Sequence, residues 1–450
     1  MMQKNTLILA ILVGLSIVAS SAATFVAFMV WRSSRQVPNN LPPTINSTAS
    51  ALNNQVVQQA IPLNGAPVAP ANAPSPAEVS PPINVPVNEP PTPPSPLLNI
   101  LPPNAAGFSL MEFTPNIGDV TRLYYHSSSD SLFMAVIEQD GLRSIWKLHQ
   151  DHTFDRVLSM NKEAGEIFLG GDKRGNLYAG FDNPGFLYRS DDGGEKWRLC
   201  ARDLDGMFWE IADDGNGTLW GSQHAWNKAI LWRSEDDGRS WYPWKDFQKI
   251  FPDDAVTYAP GDDRFRLRHL HGVIYVNGQL FVGTGDVARY TLRSDDRGET
   301  WTKVWDEGFT AAVVTTDGKS ILFGPDKLRS HGLVLYDLDT KKIKQVWDPA
   351  PFNYSGYTYS IINFNGIYFV AFHVEANEVD SLTSKFGVIA SPDTVRWFPY
   401  YEMGPLNHFA RTDMYLVQAK DKGYLSLDGS LYEFVPLDRW SFDLLKPFKK

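Results

Sequence analysis

Ser190-Asp191-Asp192-Gly193-Gly194-Glu195-Lys196-Trp197 recurs as Ser234-Glu235-Asp236-Asp237-Gly238-Arg239-Ser240-Trp241 and as Ser294-Asp295-Asp296-Arg297-Gly298-Glu299-Thr300-Trp301. Each copy reads Ser-x-Asp-x-Gly-x-x-Trp, so the chain is built from repeats. The pattern suits a tight hairpin. The Asp accepts backbone N–H groups across the turn, the Gly takes positive φ, and the Trp opens the returning strand with a large apolar surface. These Ser, Asp, Gly and Trp positions are therefore structural. A degraded fourth copy, Ser391-Pro392-Asp393-Thr394-Val395-Arg396-Trp397, is one residue short and lacks the Gly.

The starts of the four copies are separated by 44, 60 and 97 residues. From Asp119 onward, short runs of Val, Ile, Tyr, Phe and Trp alternate with Gly, Asp and Asn turns, and no long helix is signalled. Aligned on the repeats, these runs form four-strand units over 119–158, 163–200, 206–245, 266–305, 309–347 and 356–401, with a short unit over 408–436. Seven such units predict an all-β fold, a seven-bladed β-propeller whose radial sheets close into a ring, with six blades as the alternative. The last unit supplies three strands, so Phe108 to Thr114 is expected to complete it and cover its open edge.

On the quoted positions the chain resembles the Asp-box, or bacterial-neuraminidase, repeats of the sialidase-like β-propeller superfamily. That resemblance implies a propeller and raises sialidase chemistry. Sialidases use an arginine triad, a Tyr with a Glu partner as nucleophile and an Asp acid, with an early Arg-Ile-Pro signature. No such signature occurs here. The run Arg264-Phe265-Arg266-Leu267-Arg268 is mid-domain and lacks the Pro, so no sialidase catalytic residue carries over. Asp-box repeats also occur in many proteins without hydrolase function.

Ahead of the repeats the chain changes character. After the short tail 1–5, residues 6–31 carry no charge, and 26 residues at 1.5 Å rise make roughly 39 Å of helix, enough for a ~30 Å hydrocarbon core. This is read as a transmembrane signal-anchor. A signal peptide cleaved near Ala19-Ser20-Ser21-Ala22-Ala23, giving a secreted protein, is the alternative. Residues 32–106 form a Pro-rich disordered stalk, since 18 of the chain's 31 prolines fall between 37 and 106. A stalk of this kind places the propeller, 107–436, outside the cytoplasm, and 437–450 is a C-terminal tail. Lys4, Arg32, Arg35, Glu78 and Glu89 are the only charges before residue 107, so that segment is +1 and the remainder −11 of the total −10. An acidic body argues against nucleic acid as a partner. The single cysteine, Cys200, excludes an intramolecular disulfide and a Cys-based zinc site, and no cofactor is implied.

In a propeller the turns after strands one and three share one face, and those after strands two and four share the other. The repeated hairpins follow strand three, so the long loops 246–267, 348–357 and 373–385 belong to the opposite face, where binding sites sit on a rigid scaffold. Six of the nine histidines, His224, His269, His271, His331, His373 and His408, fall there. Glu210, Trp226, Arg268, Asp286, Arg289 and Arg411 join His331, His373 and His408 as candidate ligand contacts. Such a set suits a polar, anionic small ligand or a sugar. His269 and His271 lie two apart at the start of an inner strand, which points both imidazoles to one side. With Tyr290 and His224 they are the catalytic candidates. Only His224 or Asp286 offers a third metal ligand, so no metal site is assigned. Three functions follow: a membrane-tethered module binding a glycan or a protein, a polysaccharide lyase or glycosidase acting on an acidic glycan, or a non-catalytic scaffold.

Overall fold

The computed structural model describes the backbone of 111–113 and residues 117–434, except 163, 184, 260–261, 328–330, 375–382, 406–413 and 428. The expected span 6–31, the stalk 32–106 and the tail 437–450 lie outside the described residues. Among the described residues no helix is long and apolar enough to cross a membrane.

Seven antiparallel sheets of four strands each make the predicted propeller. Blades 1 to 6 span 118–160, 167–201, 207–246, 270–305, 309–347 and 357–403. Blade 7 takes three strands from 414–434, and Met111–Phe113 pairs antiparallel with its last strand, Met111 opposite Glu433 and Phe113 opposite Leu431. The expected closure is therefore present, and it removes the edge that three strands alone would leave.

The core is distributed rather than central. The described residues form seven buried apolar clusters, each shared by two neighbouring blades. The cluster joining last blade to first sets Val120, Leu123 and Trp146 against Tyr424 and Leu431. A blade thus buries its two faces only between neighbours, which is why a ring of repeats is stable where one repeat is not.

The hairpin after strand three has one geometry in all three full copies. The Ser hydroxyl donates to the Asp carboxylate (2.9, 2.8 and 2.7 Å for Ser190, Ser234 and Ser294) and accepts from the Gly N–H (2.9, 2.9 and 2.7 Å). The same Asp oxygen accepts the backbone N–H of Lys196, Ser240 or Thr300 at 2.9 Å. Gly194, Gly238 and Gly298 sit at φ of 89°, 74° and 95°. Their carbonyls accept the Trp197, Trp241 and Trp301 indole N–H at 3.1, 3.2 and 3.1 Å. The indole so anchored packs into the interblade core, with Trp241 5.1 Å from Phe208 and 6.0 Å from Tyr178, ring to ring. In the shortened copy Asp393 still accepts from Val395 and Arg396. Without the Gly, however, the buried indole N–H of Trp397 has no partner.

The innermost strands carry a feature the sequence does not announce. Pairing slips by one residue near the same end of five of them, between Val120 and Arg122, Phe208 and Glu210, Leu270 and Val273, Phe309 and Ala311, and Thr358 and Ser360. Each slip is a β-bulge, and the extra residue is re-aimed out of the normal alternation. The residues left over are Thr121, Trp209, His271 with Gly272, Thr310 and Tyr359, and all of them line the axial channel.

Candidate functional site

The face opposite the repeated hairpins opens into a cavity of about 850 Å³ at the mouth of the axial channel. A second cavity of about 480 Å³ continues down the axis, and Arg122, Trp209, Tyr359 and Tyr415 line both. These four form a partition. The Arg122 guanidinium donates to the Trp209 carbonyl at 3.0 Å and lies 5.3 Å from the rings of both Trp209 and Tyr415. Tyr359 packs edge-on against Trp209 at 5.0 Å, and the Trp209 indole N–H donates to the Thr310 carbonyl at 3.0 Å.

Above the partition sit three imidazoles. His224 ends the second strand of blade 3, and His269 and His271 flank the start of blade 4. Ring centroids are 4.2 Å apart for His224 and His269, 4.8 Å for His269 and His271, and 5.5 Å for His224 and His271. His269 and His271 are buried, and His271 also packs on Trp209 at 4.9 Å. The His269 Nδ1 sits 2.9 Å from the Ala225 carbonyl. An oxygen there can only accept, so the proton is on Nδ1 and Nε2 carries a lone pair. Burial first, and then a neighbouring imidazole, holds His269 and His271 down to about 3 and His224 well below its ordinary value. All three are neutral at pH 7.

Carboxylates surround them. Asp286 Oδ2 lies 3.2 Å from His269 Nε2 and accepts from Arg268 Nε, while Asp326 Oδ1 lies 3.4 Å from His271 Nδ1. Burial pushes Asp286 up, but the adjacent imidazoles and Arg268 outweigh it and hold the carboxyl at about 2. Asp326, enclosed and next to Asp286, is raised well above the usual range. Its Oδ2 accepts the Asp286 backbone N–H at 2.9 Å, which ties the two acids into one unit.

Trp226 stands at the rim, 57% exposed, with the Arg268 guanidinium 5.0 Å from its ring. The next residue fixes that turn. Asn227 donates to the Asp263 carbonyl at 2.6 Å and accepts from the Phe265 N–H at 2.9 Å, fastening it to the long loop before blade 4.

Other candidates lie elsewhere. Tyr290 does not line the mouth; its hydroxyl donates to Asp254 at 2.7 Å and Lys303 Nζ sits 3.6 Å from its ring centroid. Arg289 and His331 converge instead on the buried Glu307, at 2.7 and 2.8 Å, and burial raises that carboxyl to about 7 against the pull of Arg289. His373 is fully buried, 3.5 Å from the Tyr359 ring. Glu210 is exposed to the lower cavity, where enclosure by the channel walls, opposed by Arg122, raises it to about 7. His408 and Arg411 lie outside the described residues.

The balance of charge departs from the expectation of an anionic ligand. The mouth is lined by Arg122, Arg143 and Arg268 against Glu166, Asp182, Asp205, Asp286 and Asp326. Counting Asp326 as neutral, carboxylates still outnumber guanidiniums among the described lining residues, and the loop arginines Arg264 and Arg289 pair outside the cavity, with Asp262 and Glu307. Sequence reasoning missed Arg122, Trp209, Tyr359 and Asp326. The two aromatics are bulge residues, for which no pattern in the sequence gives a signal. Asp326 follows an inner-sheet strand much as Asp286 does, and that parallel was readable.

No family model and no curated protein matches the chain. Among solved structures it is similar to virginiamycin B lyase from Staphylococcus aureus, at 10% identity and a TM-score of 0.50, over 73% of this chain and 100% of that one. It is also similar to YCF48 from Cyanidioschyzon merolae, at 11% identity and a TM-score of 0.48, over 73% and 99% of the two chains. A third similarity is to the GH74 enzyme of Niastella koreensis, at 14% identity and a TM-score of 0.44, over 67% of this chain and 46% of that one, so the chain spans under half of that enzyme. At such identities the likeness concerns fold: this chain is a seven-bladed β-propeller.

Proposed function

We propose that the channel mouth binds a neutral or weakly charged carbohydrate, in an Asp-box propeller of the sialidase-like superfamily held outside the cytoplasm by the segment 6–31 and its stalk. One observation carries the reading. The 850 Å³ mouth presents an exposed indole, Trp226, beside the Arg268–Asp286 pair and the carboxylates Glu166, Asp182 and Asp205. An aromatic face flanked by paired acceptors and donors is what a sugar ring with vicinal hydroxyls needs: apolar stacking on one side and directional hydrogen bonds at the edge. The purified full-length chain is to be screened on an array of neutral and acidic glycans. Signal above background is expected, and Trp226→Ala weakens it about tenfold, ~1.4 kcal/mol for one stacked aromatic. No signal on either class of glycan refutes the reading.

One observation favours the lyase alternative: the His269 and His271 imidazoles line the cavity where a ligand would lie, although burial, by holding them at about 3, makes them weak bases at pH 7. Against it, Arg289 and Tyr290 do not line the mouth. Incubation with uronate polysaccharides then raises the absorbance of unsaturated sugar ends, and a flat trace removes this alternative for the polymers tried.

A further inference from the structure

We infer that His224, His269 and His271, with Asp286 as the fourth ligand, form a site for a divalent transition-metal ion of the zinc class. The donor atoms of the three imidazoles lie within 4.8 Å of one another. In a tetrahedral zinc site with bonds of about 2.0–2.1 Å, adjacent ligand atoms are ~3.3 Å apart. The His269 Nε2 to Asp286 Oδ2 separation, 3.2 Å, already matches one edge of that tetrahedron. The imidazoles need close by at most about 1.5 Å, the reach of a small side-chain rotation.

Three further observations point the same way. First, that 3.2 Å approach is not a hydrogen bond. His269 Nε2 is buried and lies 3.2 Å from a carboxylate oxygen, yet it has no hydrogen-bond partner, while the other ring nitrogen is held at the Ala225 carbonyl. A cation seated between nitrogen and carboxylate would give both a ligand bond. Second, the outer nitrogens of the pair face groups of the kind that orient metal-binding imidazoles. His269 Nδ1 donates to a backbone carbonyl, and Asp326 Oδ1 lies 3.4 Å from His271 Nδ1 without closing a hydrogen bond, in the place of a carboxylate–histidine support. Third, the backbone leaves the space open. A Cβ at Gly285 would lie 2.6 Å from His271 Nε2 and 2.7 Å from His269 Nε2, so glycine at this position is what lets both nitrogens approach.

The field also suits a cation. With Asp326 counted as neutral, Asp286, Asp182, Asp205 and Glu166, whose Oε2 lies 4.0 Å from His224 Nδ1, still stand against Arg268, Arg122 and Arg143. Three imidazoles and one carboxylate select zinc-class ions over Mg2+ or Ca2+, which prefer all-oxygen shells. This inference does not rest on sugar binding, and its readout contains no glycan.

The test uses the untagged full-length protein, stripped with a chelator and titrated with Zn2+ by calorimetry and with Co2+ by visible absorption. One ion per chain is expected, with the intense d–d bands of tetrahedral cobalt. Asp326→Asn lowers affinity about 10- to 100-fold through the supporting contact. Gly285→Ala, which removes no ligand, abolishes binding, and His149→Ala leaves it unchanged. His224 is partly open at the mouth, so His224→Ala perturbs folding least and should weaken binding at least tenfold. Absence of stoichiometric binding, a weak octahedral cobalt spectrum, or undiminished affinity in a folded His224→Ala protein would each overturn the assignment.

Discussion

Replacing Gly238 with alanine separates the two reasons a glycine stands in the repeated hairpin. Its φ is 74°, a conformation that costs an L-residue about 1–2 kcal/mol. The added Cβ also lies only 2.0 Å from the Tyr178 hydroxyl. That hydroxyl is not free to yield, because it donates to the buried Asp172 carboxylate at 2.8 Å. Displacing it forfeits a charge-assisted hydrogen bond worth about 1.5–3 kcal/mol. The sum is about 2.5–5 kcal/mol. Gly215 is the control: its φ is 77°, and nothing lies within 4 Å of its Cβ position. Gly215→Ala therefore carries the backbone cost alone, about 1–2 kcal/mol. Over roughly 320 residues an unfolding entropy of ~2.1 cal/mol/K per residue makes each kcal/mol worth ~1.5 °C. Gly238→Ala should then lower Tm by about 4–7 °C and Gly215→Ala by about 1.5–3 °C, with the same order in urea midpoints at unchanged m. Equal losses for the two variants would refute the packing argument and leave backbone conformation as the whole of the glycine's role.

Three other outcomes are expected. Trp241→Phe breaks the 3.2 Å bond to the Gly238 carbonyl, whereas Trp397→Phe removes a buried N–H that has no partner; urea unfolding should show the first to cost about 1 kcal/mol more than the second. Glu307, raised to about 7 in the folded chain, binds a proton there that the unfolded chain has released, so its stabilisation is complete below about pH 4.5 and is lost as pH rises through 7. Tm measured from pH 4.5 to 8 should therefore fall for the parent relative to Glu307→Gln, by the equivalent of on the order of 3 kcal/mol. A chain beginning at Asp119 lacks the strand paired with the end of blade 7, and should melt lower and aggregate faster than one beginning at Gly107, as scattering on heating will show.

Chain order alone decides the local and the periodic. The hairpin of Ser234, Asp236, Gly238 and Trp241 closes through bonds that span at most four residues, so its chemistry is complete within one turn, and counting turns counts blades. Even the borrowed strand at Met111–Phe113 was legible, because a sheet one strand short leaves an edge that must be covered. The membership of the mouth was legible only in part. His224, His269 and His271 were placed on the right face by the order of turns, but Tyr290 and Arg289, on that same face, turned to Asp254 and Glu307 instead. Trp209 and Tyr359 were not legible at all. Strict alternation assigns a side chain to one face of a sheet, and a bulge reverses that assignment without any mark in composition. Arg122 reaches the Trp209 carbonyl across 87 residues, and only closure of the ring brings such ends together. A turn is decided by bonds among neighbours in the chain; a channel mouth is decided by register, bulges and the meeting of blades, which are tertiary quantities.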